Sequence, residues 1–318
     1  MLTDTFGRIH DYLRISVTDR CNLKCVYCMP EEMTNSRKEK IMSVSEITFI
    51  AETFTELGIN KIRITGGEPF VRKDIDEIFF ALRKLPVTLA VSTNAVLIDK
   101  HIDVLKDCNV NNVNISLDTL DPDEFLSITK SNSLEKILSN VLLLLENNFT
   151  VKINFVVMKG INDNAVNDLA RLTKDFPVEV RFIEYMPFSG NKWSMEKVFS
   201  HDEILNILNS EFALHKIEDD IHDTSKKYSI SGHEGIIGII STITKPFCSG
   251  CNRLRLTADG KLKNCLFSKG ETDLLKAFRE GRDLEPLIRS NLISKKSERG
   301  GQFKSENIEN RSMVSIGG

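Results

Sequence analysis

The chain has 318 residues, 41% of them hydrophobic, with 42 Lys+Arg against 45 Asp+Glu and a net charge of −3. That length buries a large core and suits one big α/β domain, alone or with a smaller partner. The charge balance excludes a global basic field for nucleic acid, and runs such as 141–145 and 236–240 are far too short to span a bilayer.

Residues 1–14 are charged and lack the apolar stretch of a signal peptide, so a soluble cytoplasmic protein is expected. Six of the seven cysteines fall in two tight groups, which fits a reducing compartment and metal use. Cys108 stands apart, at the end of a predicted helix, and reads as a small buried hydrophobe.

From residue 12 to residue 185 short strand-like runs alternate with helical ones. The residue pattern predicts strands at 12–17, 61–65, 88–93, 112–117, 151–158 and 178–185, and helices at 45–58, 74–85, 99–108, 134–147 and 164–174. In the first helix Ile47, Ile50, Ala51, Phe54 and Leu57 recur at helical spacing, Ser43 and Glu46 suit a capping box, and Gly58 ends it. Six such units in series imply right-handed crossovers and a parallel sheet, too few to close an eight-stranded barrel. The expected fold class is therefore α/β: an open, partial parallel βα barrel over 1–220 and a smaller C-terminal α+β domain over 221–318.

Each strand is apolar on one face and polar on the other. Arg14 and Ser16 oppose Leu13, Ile15 and Val17; Asn112, Asn114 and Ser116 oppose Val113, Ile115 and Leu117. With helices covering the outside, the polar faces line the lumen. Arg14, Arg63, Lys152 and Arg181 then share one interior, where cations repel unless an anion joins them. Solvent-faced sheet edges are the alternative. An anionic substrate inside the barrel is the stronger reading.

The chemistry-bearing residues follow the strands' carboxyl ends, where α/β barrels place their active sites. Cys21, Cys25 and Cys28 form C-x3-C-x2-C after the first strand. Three thiolates within eight residues point to metal, and structural zinc or an ordinary iron–sulfur cluster wants four ligands. Three cysteines on a [4Fe–4S] cube leave one iron open to a small molecule; a zinc knuckle with a remote fourth ligand is the rival. Gly66-Gly67-Glu68-Pro69 follows the second strand and Ser92-Thr93-Asn94-Ala95 the third; Ser116 and Asp118 close the fourth, and Glu184 to Met186 the sixth.

After Tyr185 the repeat is expected to stop. One more helix is predicted at 200–209, then a polar stretch at 218–227. Cys248 and Cys251, then thirteen residues, then Cys265 again give three cysteines and no fourth, with His233 the candidate for completing a zinc site. Between them lie Arg253, Leu254 and Arg255. On a strand the two arginines share a face, which is unfavourable unless something anionic bridges them, and guanidinium forks suit a triphosphate. A solvated charged face is the alternative. Residues from Asn291 on read as a polar, loose tail ending in Gly317-Gly318.

The cysteine run with Tyr27 just before Cys28 resembles the radical S-adenosylmethionine (SAM) superfamily. The longer string from Leu13 to Asn22, ending Cys28-Met29-Pro30, is similar to the GTP 3′,8-cyclase family of molybdenum-cofactor biosynthesis. The resemblance runs from Phe6 to Gly318. It implies two [4Fe–4S] clusters, the first on Cys21, Cys25 and Cys28 with SAM on its open iron, and an auxiliary one on Cys248, Cys251 and Cys265 that meets the guanine. It further implies that Tyr27, Gly67, Ser116 and Met186, with Glu68 nearby, contact SAM. Arg14, Arg63, Ser92 and Lys152 would contact GTP. Arg253, Leu254 and Arg255 would also serve GTP, and the terminal glycines would reach into the active site. One departure is visible, since Thr-Thr-Asn-Gly is expected where this chain has Ser92-Thr93-Asn94-Ala95.

The expected reaction forms the C3′–C8 bond of 3′,8-cyclo-7,8-dihydro-GTP. An electron donor of the flavodoxin or ferredoxin kind and a downstream cyclic pyranopterin monophosphate synthase are the implied partners; homodimerisation stays open. A peptide-modifying radical SAM enzyme and a zinc-bearing nucleic-acid module are the rivals. More cysteines in the second part would favour the first, and a basic stripe the second.

Overall fold

The computed structural model describes residues 1–28, 41–302 and 310–317. Met29, Pro30 and Gly318 lie outside the described residues. A short pair, β1 (Leu2–Thr3) and β2 (Ile9–His10), precedes the main sheet. The repeat then supplies β3 (Tyr12–Ser16), β4 (Lys61–Thr65), β5 (Thr88–Thr93), β6 (Asn112–Ser116), β7 (Thr150–Val157) and β8 (Glu179–Glu184). The remainder adds β9 (Leu214–Lys216), β10 (Lys226–Ile230), β11 (Ile236–Ile240), β12 (Arg253–Leu256), β13 (Lys261–Lys263) and β14 (Thr272–Asp273).

These form one open twelve-stranded sheet in the order β14-β13-β12-β3-β4-β5-β6-β7-β8-β11-β10-β9. The six repeat strands agree with the sequence reading to within a residue or two. Their alternation holds as well. Leu13, Ile15, Ile62, Ile64, Val113, Ile115, Ile153 and Phe155 are buried in the core beneath the helices, while Arg63 and Asn114 are buried on the polar, inner side. The helix Val44–Glu56 begins with the expected box: Ser43 caps the Glu46 amide, and Glu46 accepts from the Ser43 amide at 2.7 Å. Cys108 is buried in the core.

Three features differ from the sequence reading. The parallel repeat does not stop at Tyr185, because β11 runs parallel to β8 and β12 runs parallel to β3. Both flanks of the barrel are thus built from the C-terminal part, and β9, β10, β13 and β14 continue antiparallel from them. Glu184 helps fasten this junction, its carboxylate accepting from the amides of His201, Ile243 and Thr244. A helix at Pro122–Thr129 escaped prediction, although Asp121 caps it and proline opens it. Finally, described parts of the segment from Asn291 on are packed against the rest of the chain. Asn291 is buried in a helix, and Val314 and Ile316 of the helix Met313–Ile316 are 2% and 1% exposed.

Candidate active site

Cys21, Cys25 and Cys28 line a cavity of about 180 Å³ at the carboxyl ends of the strands. Tyr27, Gly67, Ser92, Ser116 and Met186 line it too. Backbone amides of Lys24 and Val26 donate to the carbonyls of Thr129 and Ile128, so the unforeseen helix pins the cysteine loop. On the other side Gly67 and Glu68 donate to Thr18 and Arg20 at 2.7 and 2.8 Å. A Cβ on Gly67 would stand 2.4 Å from the Arg20 carbonyl oxygen, so this close approach admits only glycine.

Glu68, next to Gly67, lies behind the cavity wall. It is 1% exposed and accepts from the Asn94 amide at 2.6 Å, from Thr93 Oγ1 at 2.7 Å and from the Phe70 amide at 3.2 Å. It therefore ties the second βα loop to the third, and burial pushes its carboxyl up to about 7. The tethered Asn94 side chain stands 3.7 Å from Cys21 Sγ and donates to Asn22 at 2.8 Å. Ala95 holds φ +62°, the left-handed conformation that favours the glycine expected there.

The donor set fits a cationic cluster. Burial pushes the Cys21 thiol up to about 11 and Cys28 to about 12, and Cys25 well above its ordinary range. Cys28 and Cys21 add to this at Cys25 and Cys21 adds to it at Cys28, with Asp118 acting on both and Glu68 on Cys21. Three thiolates can coexist here only around a positive centre. Iron–sulfur clusters place each thiolate on a separate iron. Tyr27, whose hydroxyl donates to Asp118 at 2.7 Å, and Asp118, which accepts from the Val156 amide at 2.9 Å, fix one wall.

Deeper in the lumen, strand register makes a row of arginines. Arg255 on β12 stands opposite Arg14 on β3, which stands opposite Arg63 on β4. Arg253 is level with Tyr12 one turn of the pleat below, and Leu254 between the two arginines packs into the core. Burial and the neighbouring guanidiniums lower Arg255 to about 9 and Arg14 to about 10. Arg63 donates to the Tyr12 hydroxyl at 2.6 Å and the Val91 carbonyl at 2.7 Å. Burial alone would raise the Tyr12 phenol, but Arg63 and Arg14 bring it down to about 7. Arg14 Nε, Ser92 Oγ, Asn114 Oδ1 and Asn154 Oδ1 are buried without a partner among the described residues. Such a cluster is built for an anion with further polar groups.

Lys152 and Arg181 belong to a separate arrangement. Glu179 accepts from Lys152 Nζ at 2.6 Å and from Arg181 Nε at 2.7 Å. Burial would raise this carboxyl, yet Arg181 and Lys152 hold it near 2. The sequence reading overlooked Glu179, and with it the internal counter-charge for two of the four lumen cations. Tyr12 was also missed; its period-2 partnership with Arg14 on the same strand face was the available signal.

The C-terminal tail enters this lumen. Arg255 Nη1 donates to the Gly317 carbonyl at 2.7 Å, and Met313 lines the cysteine cavity. A Cβ on Gly317 would meet Thr65 Oγ1 at 2.5 Å and Ser16 Cβ at 2.8 Å. Glycine is required at that point, which also has φ +88°.

The second cysteine set lies at the opposite ends of the strands, ahead of β12. Arg8 donates to the Cys248 carbonyl at 2.8 Å, and Arg253 stands 3.9 Å from Cys251 Sγ. Burial would raise the Cys251 thiol, but Arg253 and Lys295 bring it down to about 6, a ready thiolate donor. His233 is not near: its ring bonds Thr173 and packs edge-on against Phe212, on the far flank of the sheet. Two three-cysteine sets therefore face the arginine row from opposite ends of β3 and β12.

Comparison with known proteins agrees with this geometry. The radical SAM superfamily model matches residues 15–173, and the model described as Molybdenum Cofactor Synthesis C matches residues 178–300. The chain is 42% identical over 326 residues to an Arabidopsis thaliana protein named GTP 3′,8-cyclase, mitochondrial, covering 100% of this chain and 84% of that one. It is 41% identical to Molybdenum cofactor biosynthesis protein 1 of Dictyostelium discoideum, spanning 100% of this chain but only 52% of the relative's length. Among solved structures, Streptococcus suis SuiB bound to S-adenosylmethionine shares the fold, with a TM-score of 0.65 and 14% identity over 90% of this chain and 68% of that one. The chain belongs to the radical SAM superfamily and, within it, to the GTP 3′,8-cyclase family.

Proposed function

We propose that this chain is a GTP 3′,8-cyclase, joining C3′ of the ribose to C8 of guanine to give 3′,8-cyclo-7,8-dihydro-GTP, the first step of molybdenum-cofactor biosynthesis. The observation that carries the reading is the arginine row lying between two three-cysteine sets. When bound, a [4Fe–4S] cluster on Cys21, Cys25 and Cys28 together with SAM supplies a 5′-deoxyadenosyl radical. Tyr27, Gly67, Ser116 and Met186 hold SAM against that cluster, with Glu68 positioning the neighbouring loop. Arg14, Arg63, Arg253 and Arg255 hold the triphosphate, with Ser92, Lys152 and Arg181 further along the lumen and the Leu254 backbone between the two C-terminal arginines. Cys248, Cys251 and Cys265 hold the second cluster against the guanine.

The role of the walls is as much exclusion as contact. A buried lumen keeps water and stray reductant from a reactive species and fixes the nucleotide in one orientation. Gly317 completes that enclosure by bringing its backbone to Arg255, at a point where a side chain would collide with Thr65 and Ser16.

The division near residue 220 separates the partial barrel with the first cysteine set, 1–220, from the part that carries the second cysteine set, Arg253, Arg255 and the glycine tail, 221–318; the polar stretch there supports it. A small electron-transfer protein of the flavodoxin or ferredoxin kind supplies the electron, and a separate cyclic pyranopterin monophosphate synthase consumes the product. No helix among the described residues is long and apolar enough to cross a membrane.

The test is anaerobic reconstitution with iron and sulfide, followed by dithionite, SAM and GTP. Mass spectrometry should show 5′-deoxyadenosine and the cyclised nucleotide together. SAM cleavage with GTP left intact, or two zinc ions in place of iron, would refute the assignment.

A further inference from the structure

Lys295 follows the helix Glu285–Ile293 and is only 4% exposed. Lysine is almost never buried to that degree unless its charge is matched. Its ammonium donates to the carbonyls of Asn264 at 2.5 Å and Arg253 at 3.2 Å, and stands 3.7 Å from Cys251 Sγ. Those contacts reach both chain segments that carry the second cysteine set, since Arg253 follows Cys251 by two residues and Asn264 immediately precedes Cys265. None of these acceptors is a carboxylate. Burial lowers its pKa from the ordinary lysine value, Cys251 and Cys265 counter that, and Arg8 and Arg253 add to it.

The contrast with Lys152 is informative. That lysine is half-buried and has Glu179 for a partner. Two carbonyls alone would be served as well by a neutral amide, at lower desolvation cost. A lysine rather than an amide stands at 295, where its ammonium lies 3.7 Å from a metal-ligating sulfur. Hydrogen bonds to the sulfurs and the net charge around a cluster are among the levers that set its reduction potential. A one-electron reduction adds negative charge to the cluster, so a fixed cation behind Cys251 stabilises the reduced form more than the oxidised one.

We propose that Lys295 is an outer-sphere positioning residue of the second iron–sulfur site, raising the potential of a cluster held by Cys248, Cys251 and Cys265 while clasping the two segments that hold it. The inference rests on the assignment of those cysteines to a cluster in the proposed function. It differs from the roles given to Arg253 and Arg255, which face the nucleotide.

The experiment uses the full chain with Cys21, Cys25 and Cys28 replaced by Ala, so that only the second cluster remains. Iron content and an EPR-monitored redox titration with dithionite are measured in this parent and with Lys295→Met, Lys295→Gln and Lys295→Arg added. The neutral variants should hold iron as the parent does, with the reduction equilibrium shifted about tenfold toward the oxidised form, ~59 mV for one electron. Lys295→Arg should restore the parent's potential. If the neutral variants lose iron while Lys295→Arg keeps it, the charge is needed to hold the cluster, which supports the same role. Loaded neutral variants with the parent's potential, or loss of iron from all three, would overturn the proposal. A parent that holds no iron would instead contradict the cluster assignment itself.

Discussion

Arg255 and Gly317 are joined by a buried hydrogen bond of 2.7 Å between a guanidinium and a backbone carbonyl, although 62 residues separate them in sequence. The bond sets the end of the chain inside the barrel, against Ser16 and Thr65 on one side and the arginine row on the other. Deleting Gly317 and Gly318 removes this plug without touching either cysteine set or the core. Iron content and reductive SAM cleavage should stay at the level of the intact chain. Cyclised nucleotide should fall about a hundredfold, the scale of rate loss when reacting groups lose positioning by about 1 Å. Unchanged cyclisation would show that the tail has no part in the chemistry.

Arg255 should trade stability for binding. Its charge is buried beside Arg14 and Arg253, and replacing unfavourable buried charge by apolar side chains commonly stabilises proteins by about 1–4 kcal/mol. The Arg255→Met protein without nucleotide is thus expected to melt no lower than the parent. Its GTP affinity should drop roughly ten- to a hundredfold, one charge-assisted contact being about 1.5–3 kcal/mol. Guanosine should lose much less. Equal losses for the two ligands would move Arg255 away from the phosphates.

Tyr12 should titrate near neutrality. Its phenol lies at about 7, against an ordinary value of 10, because Arg63 and Arg14 outweigh the effect of burial. The ionised form is favoured by folding, so its contribution to stability is fully present above about 10 and is lost as pH falls toward 7. The difference in unfolding free energy between the parent and Tyr12→Phe should therefore grow as pH rises from about 7 to about 10. Tyrosinate absorbance of the iron-free protein should follow the same window. A phenol titrating near 10 would mean the arginines are already satisfied by other groups.

Glu68 gives the opposite slope. Burial raises its carboxyl from 4.5 to about 7, so the stability associated with the neutral form is present below about 4.5 and is lost as pH rises through 7. Glu68→Gln should flatten this part of the stability–pH curve. It should also loosen the loop at Asn94, because an amide accepts through one oxygen where the carboxylate serves Asn94, Thr93 and Phe70 through two. A curve of unchanged shape in the variant would remove Glu68 from this role.

The sequence was most legible where the signal is local. Strand alternation in Lys61–Thr65 and the Ser43–Glu46 box each depend on a few neighbouring residues, and each has its counterpart in the structure. What it did not reveal are pairings over long separations. That Arg253–Leu256 would lie beside Tyr12–Ser16 follows from sheet register, which no spacing within either segment encodes. Glu179 and Lys295 were invisible for a related reason. A charged residue reads as solvent-facing until the fold shows which buried partner it meets. The tail was misjudged from composition, since polar residues around Val314 and Ile316 hid the two side chains that anchor it.

The central claim is that this lumen holds GTP with C3′ facing the site of SAM cleavage. GTP carrying deuterium only at C3′ tests it most directly, with the 5′-deoxyadenosine from a single turnover weighed by mass spectrometry. The account predicts one deuterium in the deoxyadenosine for each cyclised nucleotide formed. Unlabelled deoxyadenosine alongside the cyclised product would contradict it.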